Sequence, residues 1–342
     1  MKDHVGYEVT TYRIDGEYED ARHPKEVSFT SNLVEDLKRR DFTINALMQD
    51  VLTGEITDHF GGQDDLRRGV IRHIDDDSFA EDPLRVLRAA QFAARFGFTV
   101  DPSTIVLCRG IDLSALSKER VEEELKKALL KADRPSLFFE TLRSMDQLDC
   151  WFPEMKPLAG LEQDPVFHPE GDVWTHTMEV TDRAAGYRDR VSDPFCFMLL
   201  ALTHDFGKAV TTEEKNGRIH AYGHETEGMP LINNFIKRIT DEKDVIDYVN
   251  NMVPLHMRPN VSAYSRPALK STNRMFDEAC APGDLVWFAA ADRPVFAGAD
   301  EFSGDTEFLL ERLKAYEETM AKPYVAGRDL IGAGLEPSED FA

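Results

Sequence analysis

The sequence contains few cysteines and no long run of apolar residues. Its cysteines form no Cys-x-x-Cys pair and cannot build a disulfide framework, so a reducing compartment is expected. No apolar run reaches the roughly 18 residues of a membrane span, and the residues after Met1 lack the apolar core of a signal peptide. We therefore expect a cytoplasmic protein with no membrane partner. The cysteines are Cys108, Cys150, Cys196 and Cys280.

Basic residues are also scarce relative to acidic ones. The 342 residues include 40 lysines and arginines against 63 aspartates and glutamates, which gives a formal net charge of −23. Such a chain cannot bind nucleic acid over its whole surface, because phosphates would be repelled. Contact with RNA is expected only where arginines cluster, around 85–95, and no DNA partner is expected.

The chain is long enough for two or three domains, with 42% hydrophobic residues to build their cores. The pattern predicts a strand over 5–14, a helix over 33–50 capped by Ser31-Asn32, and a loop with short strands over 51–72. A small α/β part is thus followed by a helical body, with the boundary between about 150 and 165, and the fold class is α+β. The other predicted helices are 83–97, 118–132, 136–148, 173–187, 195–206, 225–239, 241–253, 282–292 and 303–320.

Two segments of the N-terminal part could bind a nucleotide. In the segment RRDFTINA, Arg40, Asp41 and Asn45 could hold phosphate and ribose through charge-assisted hydrogen bonds, or simply form a charged helix end. In EDPLRVLR, helical spacing would place Asp82, Arg85 and Arg88 on one face. A carboxylate beside a guanidinium can match the edge of a base, but it can also be a surface ion pair. A carboxylate in a strand, Glu8, is either a site residue or a solvated edge residue.

The C-terminal part carries histidines and aspartates on separate predicted helices. His176, the pair His204-Asp205 and the distant Asp292 supply two imidazoles and two carboxylates, which suit a divalent ion. Such an ion could activate water against a phosphoester, with Lys208 close enough in sequence to contact phosphate. The alternative is a hydrogen-bonded His–Asp pair in the core. The remaining candidates in this region are His220, His224 and His256.

The order of the N-terminal motifs resembles that of the class II tRNA nucleotidyltransferase and poly(A) polymerase family. The motifs are EVTTYR, RHP, DLKRRDFTINA, GGQDDL, EDPLRVLRAAQFAARFGF and SKERVEEE. The resemblance implies addition of CTP- and ATP-derived nucleotides to tRNA 3′ ends, with Mg²⁺ as cofactor. CCA-adding, A-only and poly(A) specificities share the template motif and all stay open.

The same resemblance implies roles for individual residues. Glu8 would be the third carboxylate beside a metal-binding Asp-x-Asp. The residues Arg40, Asp41 and Asn45 would hold ribose and triphosphate. The template that selects CTP and then ATP would be Asp82 and Arg85, with Arg88 on phosphate.

The segment HPEGDVWTHT, followed by LTHDFGK and GHE, resembles the HD phosphohydrolase domain fused to bacterial enzymes of this family. This resemblance implies His176, His204, Asp205 and Asp292 as ligands of Ni²⁺, Co²⁺, Mn²⁺ or Mg²⁺, with His204 and Asp205 catalytic. His220, His224 and Lys208 would surround the ligands or contact phosphate. The implied reaction is hydrolysis of 2′,3′-cyclic phosphates and phosphomonoesters. The expected domains are a partial head over 1–75, a neck over 76–155, an HD domain over 160–300 and a tail over 301–342.

One family element is not found in these 342 residues, namely the glycine-rich turn and Asp-x-Asp strand expected before YEVTTYR. Two-metal nucleotidyl transfer needs those carboxylates, so the chain as given is expected to be impaired in that reaction. We expect a gene fragment rather than a trimmed paralogue. Two alternatives follow: a stand-alone HD phosphohydrolase with a vestigial head, and a non-catalytic RNA-binding remnant.

Overall fold

The computed structural model describes residues 10–15, 27–293, 304–321 and 331–334. Glu8 and most of the predicted strand over 5–14 lie outside these residues. Within them, every helix is too short or too polar to cross a lipid bilayer.

The first hundred residues combine short strands with short helices, which confirms the α+β class. β1 (Arg13–Asp15) pairs with β2 (Val27–Phe29), and β3 (Met48–Gln49) with β4 (Ile56–Thr57), both antiparallel. β5 (Val70–Ile71) pairs in parallel with β6 (Thr99–Val100). The helices of this part are α1 (Leu33–Lys38), α2 (Gly62–Arg68), α3 (Asp76–Glu81) and α4 (Leu84–Phe96).

The helix predicted over 33–50 is wrong beyond Lys38. Asn32 caps α1 as predicted, accepting a 3.0 Å hydrogen bond from the Val34 amide. Past the helix end, Phe42 forms a β-bridge with His73, and the Thr43 amide donates to the Arg72 carbonyl at 2.9 Å. These distant partners replace the local helical hydrogen bonds, and only a 3₁₀ turn over Thr43–Asn45 remains.

The loop predicted over 51–72 is wrong where it contains α2. Gly61 and Gly69 flank this helix with positive φ angles of 76° and 65°, which glycine adopts without strain. A second short helix, α3, begins after Asp75, whose carboxylate accepts from the Ser78 amide and caps it.

Asp82 terminates α3 in an extended conformation instead of lying in the same helix as Arg85. The helical spacing used to align Asp82 with Arg85 and Arg88 therefore does not apply. The predicted helix over 83–97 is confirmed as α4, and its apolar residues Leu87 and Ala90 are buried.

A helical body follows. α4 packs against both α6 (Lys118–Lys131) and α7 (Ser136–Ser144), while α5 (Pro102–Arg109) contacts α3. A 3₁₀ segment over Pro153–Leu158 occupies the predicted boundary, and its residues Met155 and Leu158 join the same buried core as the helices on either side. The remaining elements are α8 (Val173–Ala185), α9 (Pro194–Thr203), α10 (Lys208–Thr211), β7 (Glu213–Lys215), β8 (Arg218–His220), α11 (His224–Glu227), α12 (Met229–Ile239), α13 (Lys243–Met252), a 3₁₀ turn (Val253–Leu255), α14 (Met257–Ser265), α15 (Leu269–Glu278), α16 (Pro282–Asp292) and α17 (Gly304–Met320).

The centre of this body is α9, in which every residue from Phe195 to Thr203 is buried. It is covered by α6, α8, α13 and α16. An all-apolar helix must be enclosed by its neighbours, so the chain leaving its C-terminal end begins deep inside the protein. His204 and Asp205 lie at that end.

Two glycines let the chain after α9 approach α11. A Cβ atom on Gly228 would overlap the Gly207 Cα, and one on Gly207 would overlap the His224 carbonyl. We predict that Gly228→Ala lowers the free energy of unfolding by ~1–3 kcal/mol through overpacking. Urea denaturation measures this change.

Gly110→Ala is the matched control, because the nearest atom to its Cβ would be 3.7 Å away. Equal effects of the two substitutions would contradict the close approach at Gly207 and Gly228.

Candidate metal and nucleotide sites

The four metal ligands expected from the sequence converge at the end of α9. His176 comes from the first turn of α8, His204 and Asp205 follow α9, and Asp292 is the last residue of α16. The His176 Nε2 atom lies 3.4 Å from His204 Nε2 and 3.1 Å from Asp292 Oδ1. The His204 Nε2 atom lies 3.5 Å from the same carboxylate oxygen and 3.3 Å from Asp205 Oδ2.

The hydrogen bonds of the Nδ1 atoms decide which nitrogens face the centre. His176 Nδ1 lies 2.6 Å from Glu170 Oε1, and His204 Nδ1 lies 2.9 Å from the Ala201 carbonyl. Both partners accept hydrogen bonds, so each Nδ1 donates to its partner and each Nε2 faces the centre, where it can offer a lone pair to a cation once it carries no proton. Two such nitrogens and a carboxylate oxygen directed at one another are an arrangement that a cation stabilises.

A second group of possible ligands adjoins the first through Asp205. The His224 Nε2 atom lies 3.2 Å from Asp205 Oδ1 and 3.2 Å from His256 Nε2. The Nδ1 atoms of His224 and His256 face the carbonyls of Ala221 and Val253 at 2.8 and 2.7 Å. Asp205 therefore offers one oxygen to each group, and His256 completes a group with Asp205 and His224.

The donor set fits a divalent cation. Asp205 is wholly buried, and its Oδ2 atom, although 2.7 Å from Lys208 Nζ, has no aligned hydrogen bond among the described residues. Burial raises the pKa of this carboxyl group, but the charges of His204 and Lys208 outweigh that effect and hold it well below the ordinary value. Imidazole nitrogens with ionised carboxylates are the ligands of borderline divalent metals, and the HD family implies a divalent metal.

Protons compete with the metal for the same nitrogens. Burial lowers the pKa of His176, but its hydrogen bonds to Asp292 and Glu170 raise it to about 9. For His256, burial and the nearby His204 lower the pKa to about 3. In the metal-free protein, His176 therefore carries a proton on both ring nitrogens at neutral pH.

Metal binding is predicted to strengthen as the pH rises from 7 towards 9. The raised pKa of His176 stabilises the metal-free fold below about pH 6.5, and this contribution is lost as the pH passes about 9. A metal must displace that proton, so its apparent affinity is expected to rise by up to ~10-fold per pH unit. The apparent affinity can be measured at several pH values by letting the chelator-treated protein compete with a chromophoric chelator for Ni²⁺.

Glu170→Gln is the comparison variant for this measurement, because it removes one of the groups that raise the pKa of His176. We expect a flatter pH dependence in the variant. An affinity for Ni²⁺ in the parent that does not change with pH would contradict the proton competition.

The other residues predicted near the metal ligands lie beside those ligands or at the opening of the cavity that leads to them. Lys208 is buried, and its Nζ atom donates to Gln163 Oε1 at 2.6 Å. His220 lies on β8 with its ring stacked on that of Tyr222, at a centroid distance of 4.9 Å. A cavity of about 900 Å³ leads from these aromatic rings to His176 and Asp205.

The six predicted nucleotide-binding residues all border one cavity in the N-terminal part. Its volume is about 480 Å³, and Arg39 and Phe92 complete its lining. With Arg39 included, the lining has four guanidinium groups and two carboxylates, so the cavity is positively charged in an acidic protein. The six are Arg40, Asp41, Asn45, Asp82, Arg85 and Arg88.

These residues are held by hydrogen bonds to one another and to the backbone. Asp41 accepts from Arg88 Nε at 2.7 Å and from Asn45 Nδ2 at 2.9 Å. Burial lowers the pKa of Arg88, but Asp41 outweighs it and raises the pKa. Arg85 donates to the carbonyls of Ser78 and Arg39, which orients its guanidinium group at the cavity wall.

Two residues of these sites did not emerge from the sequence as candidates. Glu170 orients His176 and lies in the motif HPEGD, six positions before that ligand. Arg120 donates to both oxygens of Asp82 at 3.0 Å, from the segment SKER that indicated only a helix start. Arg39, the first of the two adjacent arginines in RRDFTINA, adds a fourth guanidinium group to the cavity.

Comparisons with known proteins match both parts of the chain. A family described as Poly A polymerase head domain matches residues 1–72, and the HD domain family matches residues 173–286. The chain is 39% identical over 242 residues to the multifunctional CCA protein of Actinobacillus pleuropneumoniae. That match covers 69% of this chain and 58% of the relative, so the chain spans somewhat more than half the length of this relative.

Solved structures show the same fold at lower sequence identity. The Thermotoga maritima CCA-adding enzyme complexed with tRNA is 20% identical, with a TM-score of 0.58 over 91% of this chain and 67% of that one. The Bacillus stearothermophilus CCA-adding enzyme in complex with CTP is 22% identical, with a TM-score of 0.56 over 98% of this chain and 71% of that one.

Proposed function

Because this chain belongs to the class II tRNA nucleotidyltransferase and poly(A) polymerase family and carries an HD domain, we propose that it acts in CCA addition. In this proposal the chain supplies the nucleotide-binding cavity for the addition of CTP- and ATP-derived nucleotides to tRNA 3′ ends. The single observation that carries it is the positively charged cavity bordered by all six predicted nucleotide-binding residues. The proposed domains are a head over 1–75, a neck over 76–155, an HD domain over 160–300 and a tail over 301–342.

The cavity suits a nucleoside triphosphate in charge and size. Its volume of about 480 Å³ lies within the ~300–1,000 Å³ usual for small-molecule sites. Arg40 and Arg88 lie where guanidinium groups can bind a triphosphate, and Asp41 fixes the orientation of Arg88. Asp82 and Arg85 supply an acceptor and a donor for the edge of cytosine or adenine. Mg²⁺ belongs to this proposal, with Glu8 as one of its carboxylates.

We predict that Arg40→Ala weakens the binding of CTP and ATP equally, by ~10–100-fold, because a charge-assisted hydrogen bond to phosphate contributes ~1.5–3 kcal/mol. Asp82→Ala is expected to change the ratio of the two affinities, because it alters the contact with the base. Equilibrium dialysis with radiolabelled nucleotides measures both effects.

Arg67→Ala is the matched control, since Arg67 is an exposed arginine of α2 paired with Asp64 outside the cavity. Unchanged affinity in Arg40→Ala, or equal losses in Arg40→Ala and Arg67→Ala, would count against the cavity as the triphosphate site.

A second activity is supported by the histidine and aspartate cluster. We propose that His176, His204 and Asp292 form one metal site and that Asp205, His224 and His256 form another, for Ni²⁺, Co²⁺, Mn²⁺ or Mg²⁺. A divalent ion held there supplies positive charge for a phosphate group and lowers the pKa of water. The proposed substrates are 2′,3′-cyclic phosphates and phosphomonoesters at RNA 3′ ends.

The chain's own groups would prepare this site for hydrolysis. Glu170 and the Ala201 carbonyl hold the two imidazoles so that their Nε2 atoms face the centre. Lys208 lies with its Nζ atom 2.7 Å from Asp205 Oδ2 and places an amino group at the inner end of the cavity, where a phosphate would enter. The buried surroundings keep bulk water away and strengthen these electrostatic contacts.

We predict that His204→Ala lowers the hydrolysis of adenosine 2′,3′-cyclic phosphate by ~100-fold or more, since even residues that only support metal ligands cost ~10–100-fold when replaced. The assay uses metal-loaded protein and phosphate-specific chromatography of the products. His59→Ala, an exposed histidine outside the cluster, is the control and should keep the parent rate. Equal rates in His204→Ala and the parent would refute the second activity.

A further inference from the structure

Two exposed aromatic side chains stand at the outer end of the cavity that leads to the metal cluster. Tyr222 is 73% exposed and Phe167 is 63% exposed, yet both line the same cavity as His176 and Asp205. Large exposed apolar groups that line a concave cavity are typical of ligand sites. Neither ring takes part in the metal cluster or in the nucleotide cavity described above.

We propose that Tyr222, supported by His220, stacks on the nucleobase of the RNA-end nucleotide whose phosphate reaches the metal cluster. This subsite rests on the proposed phosphohydrolase activity and names its substrate more closely, as a nucleotide recognised through its base. Phe167 forms a second apolar wall of the same subsite.

One face of the Tyr222 ring already stacks on the ring of His220. Its plane is tilted by only 13° from that of His220, at a centroid distance of 4.9 Å. With His220 covering one face of the ring and 73% of Tyr222 still exposed, the other face is available to a planar ligand. A base placed there would extend the existing stack instead of requiring a new arrangement of side chains.

One carboxylate connects the two segments that carry these rings. Asp164 Oδ2 accepts from Arg218 on β8 at 2.7 Å, which ties the hairpin of His220 to the loop 161–172. In that loop the Val166 amide donates to Asp164 Oδ1 at 3.0 Å, and the Phe167 amide donates to the Asp164 carbonyl at 3.1 Å. The aromatic walls are thus held in place before a ligand arrives.

The cavity has the dimensions and polarity of a nucleotide site. At about 900 Å³ it is much larger than a phosphate group needs. Its inner end carries Lys208 and the metal cluster, and its outer end carries the aromatic rings, so a nucleotide fits with its phosphate inward and its base outward. Because stacking is available to every base, the subsite is expected to accept all four with similar affinity.

The test compares a nucleotide with a substrate that has no base. We expect Tyr222→Ala to raise the KM for adenosine 2′,3′-cyclic phosphate ~10-fold, the loss of one stacked base, while kcat stays within twofold. The KM for 1-O-methylribose 2,3-cyclic phosphate should not change, and Tyr222→Phe should keep the parent values. An unchanged KM for the nucleotide, or an equal rise for the base-free substrate, would overturn the proposal.

Tyr264→Ala is the matched control, since Tyr264 is 90% exposed and lies outside the cavity lining. It should leave both KM values at those of the parent. A rise in Tyr264→Ala equal to that in Tyr222→Ala would mean that the effect does not come from the subsite.

A binding measurement separates this proposal from the activity on which it rests. In Tyr222→Trp combined with His204→Ala, adenosine 2′-monophosphate is expected to quench tryptophan fluorescence, and ribose 5-phosphate is not. Quenching without hydrolysis by the unmodified protein would support the subsite while rejecting the phosphohydrolase. Equal quenching by both ligands, or none by either, would reject the subsite.

Discussion

The buried carboxylate of Asp205 is the constraint on which the C-terminal half depends. A charge taken out of water is costly unless it is paired, so its surroundings must supply partners on every side. His204, His224 and Lys208 do so at 3.3, 3.2 and 2.7 Å. The apolar helix α9 carries the carboxylate into the interior, and the contact of Gly207 with Gly228 lets α11 bring His224 to it. The packing of these helices and the geometry of the candidate metal site therefore depend on the same contacts.

In the N-terminal half, the clustered charges are the positive charges of arginines at a cavity, not a buried negative charge. The protein carries a net charge of −23, but four arginines line the wall of a single cavity, in which Asp41 orients Arg88. A polyanionic ligand is attracted to that cavity while the rest of the surface repels it, which confines contact to one face. Both candidate sites thus suit phosphate groups, one through guanidinium groups and the other through imidazoles and carboxylates able to hold a cation.

The sequence predicted long amphipathic elements better than short ones. The helix over 83–97 followed from local periodicity, whereas the expectation that His176 and His204 share one site came from the resemblance to the HD domain. The helix over 33–50 failed since Phe42 pairs with His73, a partner that periodicity does not reveal. The position of Asp205 between the two groups of possible metal ligands depends on distances between helices, so the spacing of residues in the sequence could not predict it.

Anomalous diffraction from crystals soaked in Mn²⁺ would show whether the two groups joined by Asp205 are metal sites. We expect one peak within coordination distance of His176, His204 and Asp292, and a second beside Asp205, His224 and His256. Mn²⁺ found only on exposed carboxylates, with neither group occupied, would contradict this expectation.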